Sequence, residues 1–251
     1  YSPLKFIGTK ANPIIIKNSG GKGGNGIAII NAKKFSLLRN VNFLNIDSIK
    51  NNQMILSGSV TFYESPVEID NCIFDNGLSE DSLNIVRSNF ILNNLVFNGA
   101  ASDALDIDFS DGLISNLYIN NSRNDGLDIS GSKIKSSNIF IDKANDKALS
   151  VGENSELSID KINIKNSFIG IANKDSSSLK VNFANITNSK IDFSGFQKKS
   201  EYDGSNTEII NLNKKYDEFN YLLSKGSTLI INNKTLKPNI KNENILKSLY
   251  K

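Results

Sequence analysis

The sequence has no histidine, no tryptophan and a single cysteine among its 251 residues. Without histidine, this chain alone cannot build a Ser–His or Cys–His nucleophile, or a histidine-ligated zinc or iron site. The lone Cys72 excludes an internal disulfide, and its apolar neighbours predict a small core residue. Any chemistry would therefore depend on carboxylates, lysine, arginine, tyrosine, or a hard cation held by oxygen ligands.

A strong charge imbalance and a long apolar run are also missing. The 29 Lys and Arg residues nearly balance the 26 Asp and Glu residues, for a formal net charge of +3. The lysines are scattered among Asn and Ser rather than clustered with aromatics, so we do not expect nucleic acid as a partner. We also expect no transmembrane segment. With 39% hydrophobic residues, the chain can bury a core as one elongated domain.

Internal repetition is the dominant pattern between about residues 80 and 190. One column of leucines recurs every 22 residues, at Leu83, Leu105, Leu127 and Leu149. A second apolar column recurs every 22 or 23 residues, at Phe97, Ile119, Ile141, Ile164 and Ile186. Self-similarity at a fixed short period is typical of stacked repeat architectures, so the sequence predicts stacked coils.

Each repeat contains short alternations of apolar and polar residues, as in Leu105–Phe109, separated by turn signals such as Asn98-Gly99. Alternation with a period of two predicts strands with one buried face. A period of 22 residues leaves no room for a crossover helix, and the leucine-rich-repeat spacing is absent. We therefore predict an all-β fold: a single-stranded, right-handed parallel β-helix with a small C-terminal capping segment.

The predicted β-helix covers residues 1–200, and its coils before residue 80 are less regular. Residues 201–251 are predicted to form the cap, with a short helix over 216–223, a hairpin around Asn232-Asn233 and a last helical turn over 244–250. The segment Gly20–Gly26 lacks the spacing of a phosphate-binding loop, so we interpret it as a flexible loop.

Aspartates occupy outward positions of the predicted strands. Neighbouring coils place equivalent residues about 4.8 Å apart, which aligns Asn84, Asp106, Asp128 and Ser150 in one column. Asp108 lies on the same face, and a further line at the strand entries contains Asp81, Asp103, Asp125 and, displaced by one residue, Asp146. Such carboxylates repel one another by roughly 1 to 4 kcal/mol per pair. Bound Ca²⁺, lysines, hydrogen bonds or protonation would relieve that repulsion.

Two interpretations of these aspartates remain open. The entry aspartates are expected to cap turns by binding N–H groups two residues on, as in Asx-turns. Strands disfavour aspartate, so the mid-strand aspartates are assigned a catalytic role together with Lys174. Asp106 and Asp128 are also predicted to form a Ca²⁺ site. The alternative for the lysines is a solvated surface. The predicted catalytic set is Asp106, Asp108, Asp128 and Lys174. The predicted substrate-binding set is Asp103, Asp125, Arg123, Asp146, Lys147, Glu153 and Asp175.

Four stretches carry a resemblance to a known group of proteins, namely Asp103–Asp108, Asn124–Ser132, Asp146–Glu153 and Ile169–Asp175. They resemble bacterial right-handed β-helix proteins of the pectate-lyase-like superfamily, of the kind found with spore-coat-protein-H-like modules. The resemblance covers less than half of the chain. It implies a carbohydrate-linked role and an extracellular, cell-surface or periplasmic location. The histidine-containing motifs of polygalacturonases and alginate epimerases are absent, which argues against those two activities.

Two functional hypotheses follow. The first is a protein that binds or processes an extended polysaccharide along its acidic outer side. If it is an enzyme, it would be a lyase, hydrolase or epimerase that uses carboxylates and lysine. Carboxyl separations of about 5–9.5 Å, which suit glycosidases, arise in such a stack. The second is a non-catalytic structural or adhesion module whose partners are envelope proteins.

Overall fold

Parallel strands stacked in successive coils form most of the molecule. The computed structural model describes residues 2–18, 26–51 and 54–249, so most of the glycine-rich Gly20–Gly26 prediction lies outside the described residues. The strands form a fourteen-stranded sheet, a nine-stranded sheet and a two-stranded hairpin. Coils about 22 residues apart build a parallel β-solenoid, which confirms the predicted fold class.

Strands are numbered in chain order across both sheets. The first sheet contains β1 (Lys5–Ile7), β2 (Ile14–Lys17), β4 (Ser36–Arg39), β5 (Val41–Leu44), β9 (Val67–Asp70), β10 (Ile73–Asp75), β12 (Phe90–Ala100), β14 (Asp111–Ser122), β16 (Lys133–Ala144), β18 (Glu156–Lys165), β20 (Ser178–Thr187), β22 (Asn206–Leu212), β24 (Thr228–Ile231) and β25 (Lys234–Thr235). The second sheet contains β3 (Ile27–Ile30), β8 (Gly58–Tyr63), β11 (Asp81–Val86), β13 (Asp103–Asp108), β15 (Leu127–Ser130), β17 (Lys147–Gly152), β19 (Ile169–Lys174), β21 (Ile191–Phe196) and β23 (Tyr221–Leu223). The hairpin pairs β6 (Lys50–Asn51) with β7 (Met54–Ile55).

Both predicted apolar columns line the interior. The leucine column pairs in register through β11, β13, β15 and β17, and all four side chains are fully buried. The second column pairs in register from Phe97 to Ile186 and is likewise buried. The rings of Phe43, Phe74 and Phe97 stack with centroids 4.8 and 4.7 Å apart. Cys72 is buried in this core, as predicted.

Residues with left-handed backbone conformation turn each coil at three corners. The first corner follows each strand of the second sheet and includes Arg87, Phe109 and Gly131. The second corner divides the two halves of the first sheet, where Asn71, Asn94 and Asn116 have φ of 52°, 53° and 55°. The third corner follows the first sheet and includes Gly99, Asn121, Lys143, Asn166 and Asn188. Asparagine recurs because it tolerates this conformation better than most residues.

A ladder of buried serines follows the first corner, and the sequence analysis missed it. At most steps the backbone N–H of one serine donates to the hydroxyl of the serine one coil later, as from Ser88 to Ser110 (3.0 Å) and from Ser110 to Ser132 (2.9 Å). The same bond recurs at five other steps, which begin at Ala32, Ser65, Ser132, Ser155 and Ser205. The ladder satisfies main-chain donors where the sheet hydrogen bonds stop at the corner.

The stacking continues beyond residue 200, where the sequence predicted the cap to begin. β22, β23 and β24 each pair in parallel with the preceding coil. The helix predicted over 216–223 is confined to a 3₁₀ turn at Tyr216–Glu218, because the chain then enters β23. The hairpin is confirmed as antiparallel β24–β25, with Asn232 and Asn233 both left-handed.

The C-terminal helix α1 (Asn242–Leu249) is longer than the predicted final turn. It packs on the outer face of the second sheet, where Ile245 and Leu249 form a separate apolar cluster with Ile169, Ala172, Ile191 and Phe196. Within the described part of the chain, no helix has the length and apolar character needed to cross a membrane.

Candidate functional site

Six aspartates cluster on the outer side of β11, β13 and β15. We call this surface the acidic face; its members are Asp81, Asp103, Asp106, Asp108, Asp125 and Asp128. The register places Asn84, Asp106, Asp128 and Ser150 in one column, as predicted. The N–H groups of both Ala104 and Leu105 bond to the next coil, at 3.2 and 3.1 Å. Two successive N–H groups that bond to the same neighbouring coil indicate a bend at the strand entry. The bend interrupts the alternation of side chains, so the entry aspartates lie on the same surface as the mid-strand aspartates.

Asp106 and Asp108 form a pair of neighbouring carboxyls. Asn84 Nδ2 donates to Asp106 Oδ2 at 3.0 Å. Asn84 and Asp106 also lie close enough to Asp108 to influence its pKa. Burial, followed by the charge of Asp108, raises the pKa of Asp106 to about 10. Burial also raises the pKa of Asp108. At neutral pH the pair therefore holds a proton, and one member can act as a carboxylic acid.

Three other carboxylates of the acidic face converge. Oxygens of Asp103, Asp125 and Asp128 lie within 4.8 Å of one another, a spacing that a cation bound by oxygen ligands could bridge. The predicted Ca²⁺ site paired Asp106 with Asp128, whereas this converging group contains Asp128 without Asp106. Asp128 is partly exposed, and its Oδ1 accepts the N–H of Ile129 at 3.0 Å.

The entry aspartates bind main-chain N–H groups of the following coil. Asp103 Oδ1 accepts the N–H of Asp125 at 2.8 Å, and Asp125 Oδ1 accepts the N–H of Lys147 at 2.9 Å. The prediction that they form Asx-turns two residues on is wrong for this pair, because the strand-entry bend aims their side chains along the solenoid axis. Asp81 is buried, and burial raises its pKa to about 7.

Lysines border the acidic face on its C-terminal side. Lys147, and not Asp146, occupies the entry position next to Asp125, so the predicted continuation of the aspartate line through Asp146 is wrong. The Nζ atom of Lys147 lies 3.0 Å from Asp125 Oδ1 and also contacts the Asp146 carboxylate. Lys174 Nζ donates to Ser150 Oγ at 2.7 Å. Only 9% of Lys147 and 7% of Lys174 is exposed, so neither is the solvated surface lysine of the alternative interpretation.

Lys198 joins these two lysines, and the sequence analysis did not single it out. The charge of Lys174, followed by burial, lowers the pKa of the Lys198 ammonium, and Lys147 and Asp128 are also close enough to influence it. We call Lys147, Lys174 and Lys198 the lysine group. Asp175 positions Lys198, because its carboxylate accepts the backbone N–H of Lys198.

Two predicted substrate-binding residues shape the edge of the site. Asp175 is fully buried, and its Oδ1 accepts the N–H groups of Lys198 (2.6 Å) and Lys199 (2.8 Å). This leaves it no surface for a ligand, so its role is to hold the segment 197–204. Glu153 binds Lys199 Nζ at 2.5 Å at the same edge. Arg123 is exposed at the third corner, and no described contact joins its guanidinium to the acidic face.

An aromatic side chain stands beside Asp108 at the first corner. Phe109 is 51% exposed and has φ of +48°, a conformation that is unfavourable for a bulky residue. Its ring lies over Gly131, where an added Cβ would come within 2.4 Å of Phe109 Cδ1. The Arg87 guanidinium lies 5.9 Å from this ring and 6.0 Å from the ring of Tyr63. Strained, exposed residues of this kind concentrate at functional sites.

The outer side of the second sheet thus has three zones along the solenoid axis: the acidic face, the lysine group and the part covered by α1. A retained carboxylic acid, a nearby carboxylate and flanking ammonium groups can donate and accept protons and bind hydroxyl or carboxylate groups. The chain matches no protein-family model, no curated protein and no solved structure.

Proposed function

We propose that the acidic face binds an extended polysaccharide and acts on its linkages. The observation that carries this proposal is the pair of Asp106 and Asp108 on one strand, in register with the partly exposed Asp128 of the next coil, where burial raises the pKa of both paired carboxyls. In this arrangement the pair is the proton donor to a leaving sugar oxygen, and Asp128 is the base or the nucleophile. Enzymes that cleave glycosides typically use one protonated and one ionised carboxyl group.

The shape and the borders of the face support a linear substrate. Equivalent residues repeat on parallel strands, so an elongated chain can make the same kind of contact at each coil. Phe109 offers an exposed ring for the apolar side of a sugar, and the lysine group offers cations to any carboxylate that the sugar carries. A Ca²⁺ ion held by Asp103, Asp125 and Asp128 would bridge the face to such carboxylates. An extracellular, cell-surface or periplasmic location belongs to the same proposal.

The proposal is tested with the triple variant Asp106→Asn/Asp108→Asn/Asp128→Asn. We expect the wild type to release reducing ends or unsaturated products from one of a panel of polysaccharides, assayed with and without Ca²⁺. The panel includes polygalacturonate, alginate and neutral glucans. The triple variant should lose about 100-fold or more in rate. The matched control is Asp160→Asn, at an exposed position of the first sheet. Unchanged turnover in the triple variant would show that the acidic face is not the site.

A non-catalytic structural or adhesion module is the second candidate, and the inter-coil bonds of Asp103 and Asp125 favour it. Those carboxylates fasten one coil to the next, as the serine ladder does. On this view the aspartates stabilise a rigid spacer that contacts envelope proteins. Depolymerisation or epimerisation of any glycan by the wild type would contradict it.

A further inference from the structure

A concave surface lies away from the acidic face, on the outer side of the first sheet. Its floor is built by Ile73 and Val96, and Tyr118 stands at one end. Asn40, Asn42, Asn71 and Asn94 line it with side-chain amides, and its volume is about 350 Å³. We call this cavity the amide groove.

The solenoid repeat explains how the groove forms. Asn42, Ile73, Val96 and Tyr118 occupy equivalent positions in four successive coils, so they form one outward row along the axis. The second corner runs beside this row. There the left-handed conformation of Asn40, Asn71 and Asn94, with φ of 50°, 52° and 53°, places three amides side by side.

The N-terminal wall of the groove is fixed in place. The loop between β1 and β2 is closed by two mutual bonds, from Thr9 N–H to Asn12 O and from Asn12 N–H to Thr9 Oγ1, both 3.1 Å. Asn40 Nδ2 donates to Gly8 O at 3.1 Å and ties this loop to the second corner. Lys10 and Pro13 project from the loop toward the groove. The cavity is therefore formed before any ligand arrives.

The lining selects for a neutral, hydroxyl-rich ligand. Among the described residues that line the groove, Lys10 is the one charged side chain and none is a carboxylate. An amide carries two N–H donors and an oxygen with two lone pairs. Asn71 and Asn94 each donate one bond to Asp70, at 3.0 and 3.2 Å, and Asn94 Oδ1 accepts Asn116 Nδ2 at 3.0 Å. Each amide therefore keeps one N–H and at least one lone pair for a ligand. Amides that both donate and accept suit sugar hydroxyls, and the apolar floor suits the C–H side of a sugar ring.

Tyr118 extends this chemistry to a second cavity. It is 49% exposed, and on its other side it lines a cavity of about 170 Å³ together with Phe140, whose ring centroid lies 6.3 Å away. Two small cavities that share one exposed aromatic ring suit consecutive sugar units. An extended peptide fits less well. β10, β12 and β14 already pair on both sides, so their backbone groups are not free to add a peptide strand.

We propose that the amide groove is a binding site for a neutral oligosaccharide, independent of the acidic face and without a role in bond cleavage. Tyr118 is the central contact, and Ile73 and Val96 form the apolar floor. The asparagine side chains form hydrogen bonds with the sugar hydroxyl groups. The site goes beyond the proposed activity, because it would hold a neutral glycan whether or not the acidic face acts on one.

Isothermal titration calorimetry with cellohexaose, maltohexaose and laminarihexaose tests the site. We expect the wild type to bind at least one of them and Tyr118→Ala to weaken that binding about tenfold. Val96→Phe should also weaken binding, because it fills the floor. The matched control is Leu113→Ala, which removes a side chain that is 50% exposed in the same strand but outside the groove. It should bind as the wild type does, and circular dichroism checks that each variant is folded.

Three results would overturn the proposal: no binding of any of these hexasaccharides by the wild type, wild-type affinity in both groove variants, or loss of binding in the Asp106/Asp108/Asp128 triple Asn variant. The last result would place the neutral glycan on the acidic face. Retained binding in that triple variant, together with lost turnover, would support both sites separately.

Discussion

The carboxylate of Asp103 accepts the backbone N–H of Asp125 at 2.8 Å, and Asp125 stands at the same position one coil later. The same Oδ1 also accepts Asn124 Nδ2 at 2.7 Å. A side chain that looks outward-facing and functional in sequence therefore holds two coils together. The acidic face is built partly from residues that the solenoid needs for its own stability.

Removal of this acceptor should destabilise the fold. Asp103→Ala leaves the N–H of the buried Asp125 without its partner, and we expect a loss of about 1–3 kcal/mol in the free energy of unfolding. Asp103→Asn keeps a carbonyl oxygen and removes a charge, so its loss should be smaller. Urea unfolding at pH 7 measures both. Equal losses in the two variants would mean that the charge, and not the acceptor, stabilises this position.

The stability of the protein should fall as the pH rises above about 4. An unfolded aspartate titrates near 3.9, whereas the pKa is raised to about 7 for Asp81 and to about 10 for Asp106. Between these values the native state binds more protons than the unfolded state. The stability that these two carboxyls contribute is therefore fully present below the unfolded pKa and is lost as the pH rises through the folded ones. Thermal unfolding at pH 5 and pH 9 should show the decline.

Asp106→Asn isolates the contribution of one carboxyl to this decline. The amide keeps an acceptor for Asn84 and does not titrate, so the variant should become more stable relative to the wild type as the pH rises from 5 to 9. At pH 5 the difference should be small. Asp160→Asn, an exposed control, should keep the wild-type pH dependence. A variant less stable than the wild type at pH 9 would contradict a raised pKa at Asp106.

Adjacent serines provide a test of the serine ladder. Ser177 is buried and its hydroxyl accepts the N–H of Ser155 at 3.0 Å, whereas Ser178 is exposed. Ser177→Ala should cost about 1–3 kcal/mol, because it leaves a buried donor unsatisfied. Ser178→Ala should change stability by less than about 0.5 kcal/mol. Chemical denaturation of the two variants distinguishes the ladder from a general effect of serine in this region.

The attachment of α1 to the outer face can be tested in the same paired way. Ile245 is buried against the sheet, and its neighbour Leu246 is 41% exposed. Ile245→Asp should release the helix, because it buries an unpaired charge. Limited proteolysis or hydrogen exchange over residues 240–249 should then report faster cleavage or exchange. Leu246→Asp should behave like the wild type. Equal protection in both variants would show that the helix does not depend on this contact.

Periodicity made the core predictable. The leucine and isoleucine columns needed only a count of residues, because a 22-residue repeat fixes which side chains meet on neighbouring coils. The alignment of Asp106 with Asp128 followed from the same count. The serine ladder was equally periodic, with Ser88, Ser110 and Ser132 at steps of 22. Serine is polar and typical of turns, so its recurrence did not mark these positions as interior.

Other parts of the site depend on local bends that periodicity does not reveal. The bend after Asp103 aims that carboxylate at the next coil, and it also makes Lys147 the successor of Asp125 in place of Asp146. Lys198 lies outside the repeat, and only the hydrogen bonds of Asp175 place it near Lys174. The amide groove depends on the second corner, where Asn40, Asn71 and Asn94 take a left-handed conformation that the 22-residue period does not reveal.

The first corner varies in length while the strands on either side keep their register. One residue, Phe109, separates Asp108 from Ser110, whereas residues 197–204 separate Phe196 from Ser205. Phe196 nevertheless still pairs with Lys174, and Asn206 with Ser178. This corner is thus a natural insertion point, and foreign peptides placed at Gly131 or Asn154 should be displayed at the rim of the acidic face without disturbing the scaffold beneath. Lengthening this one edge would reshape the rim of the acidic face while the interior remains as it is.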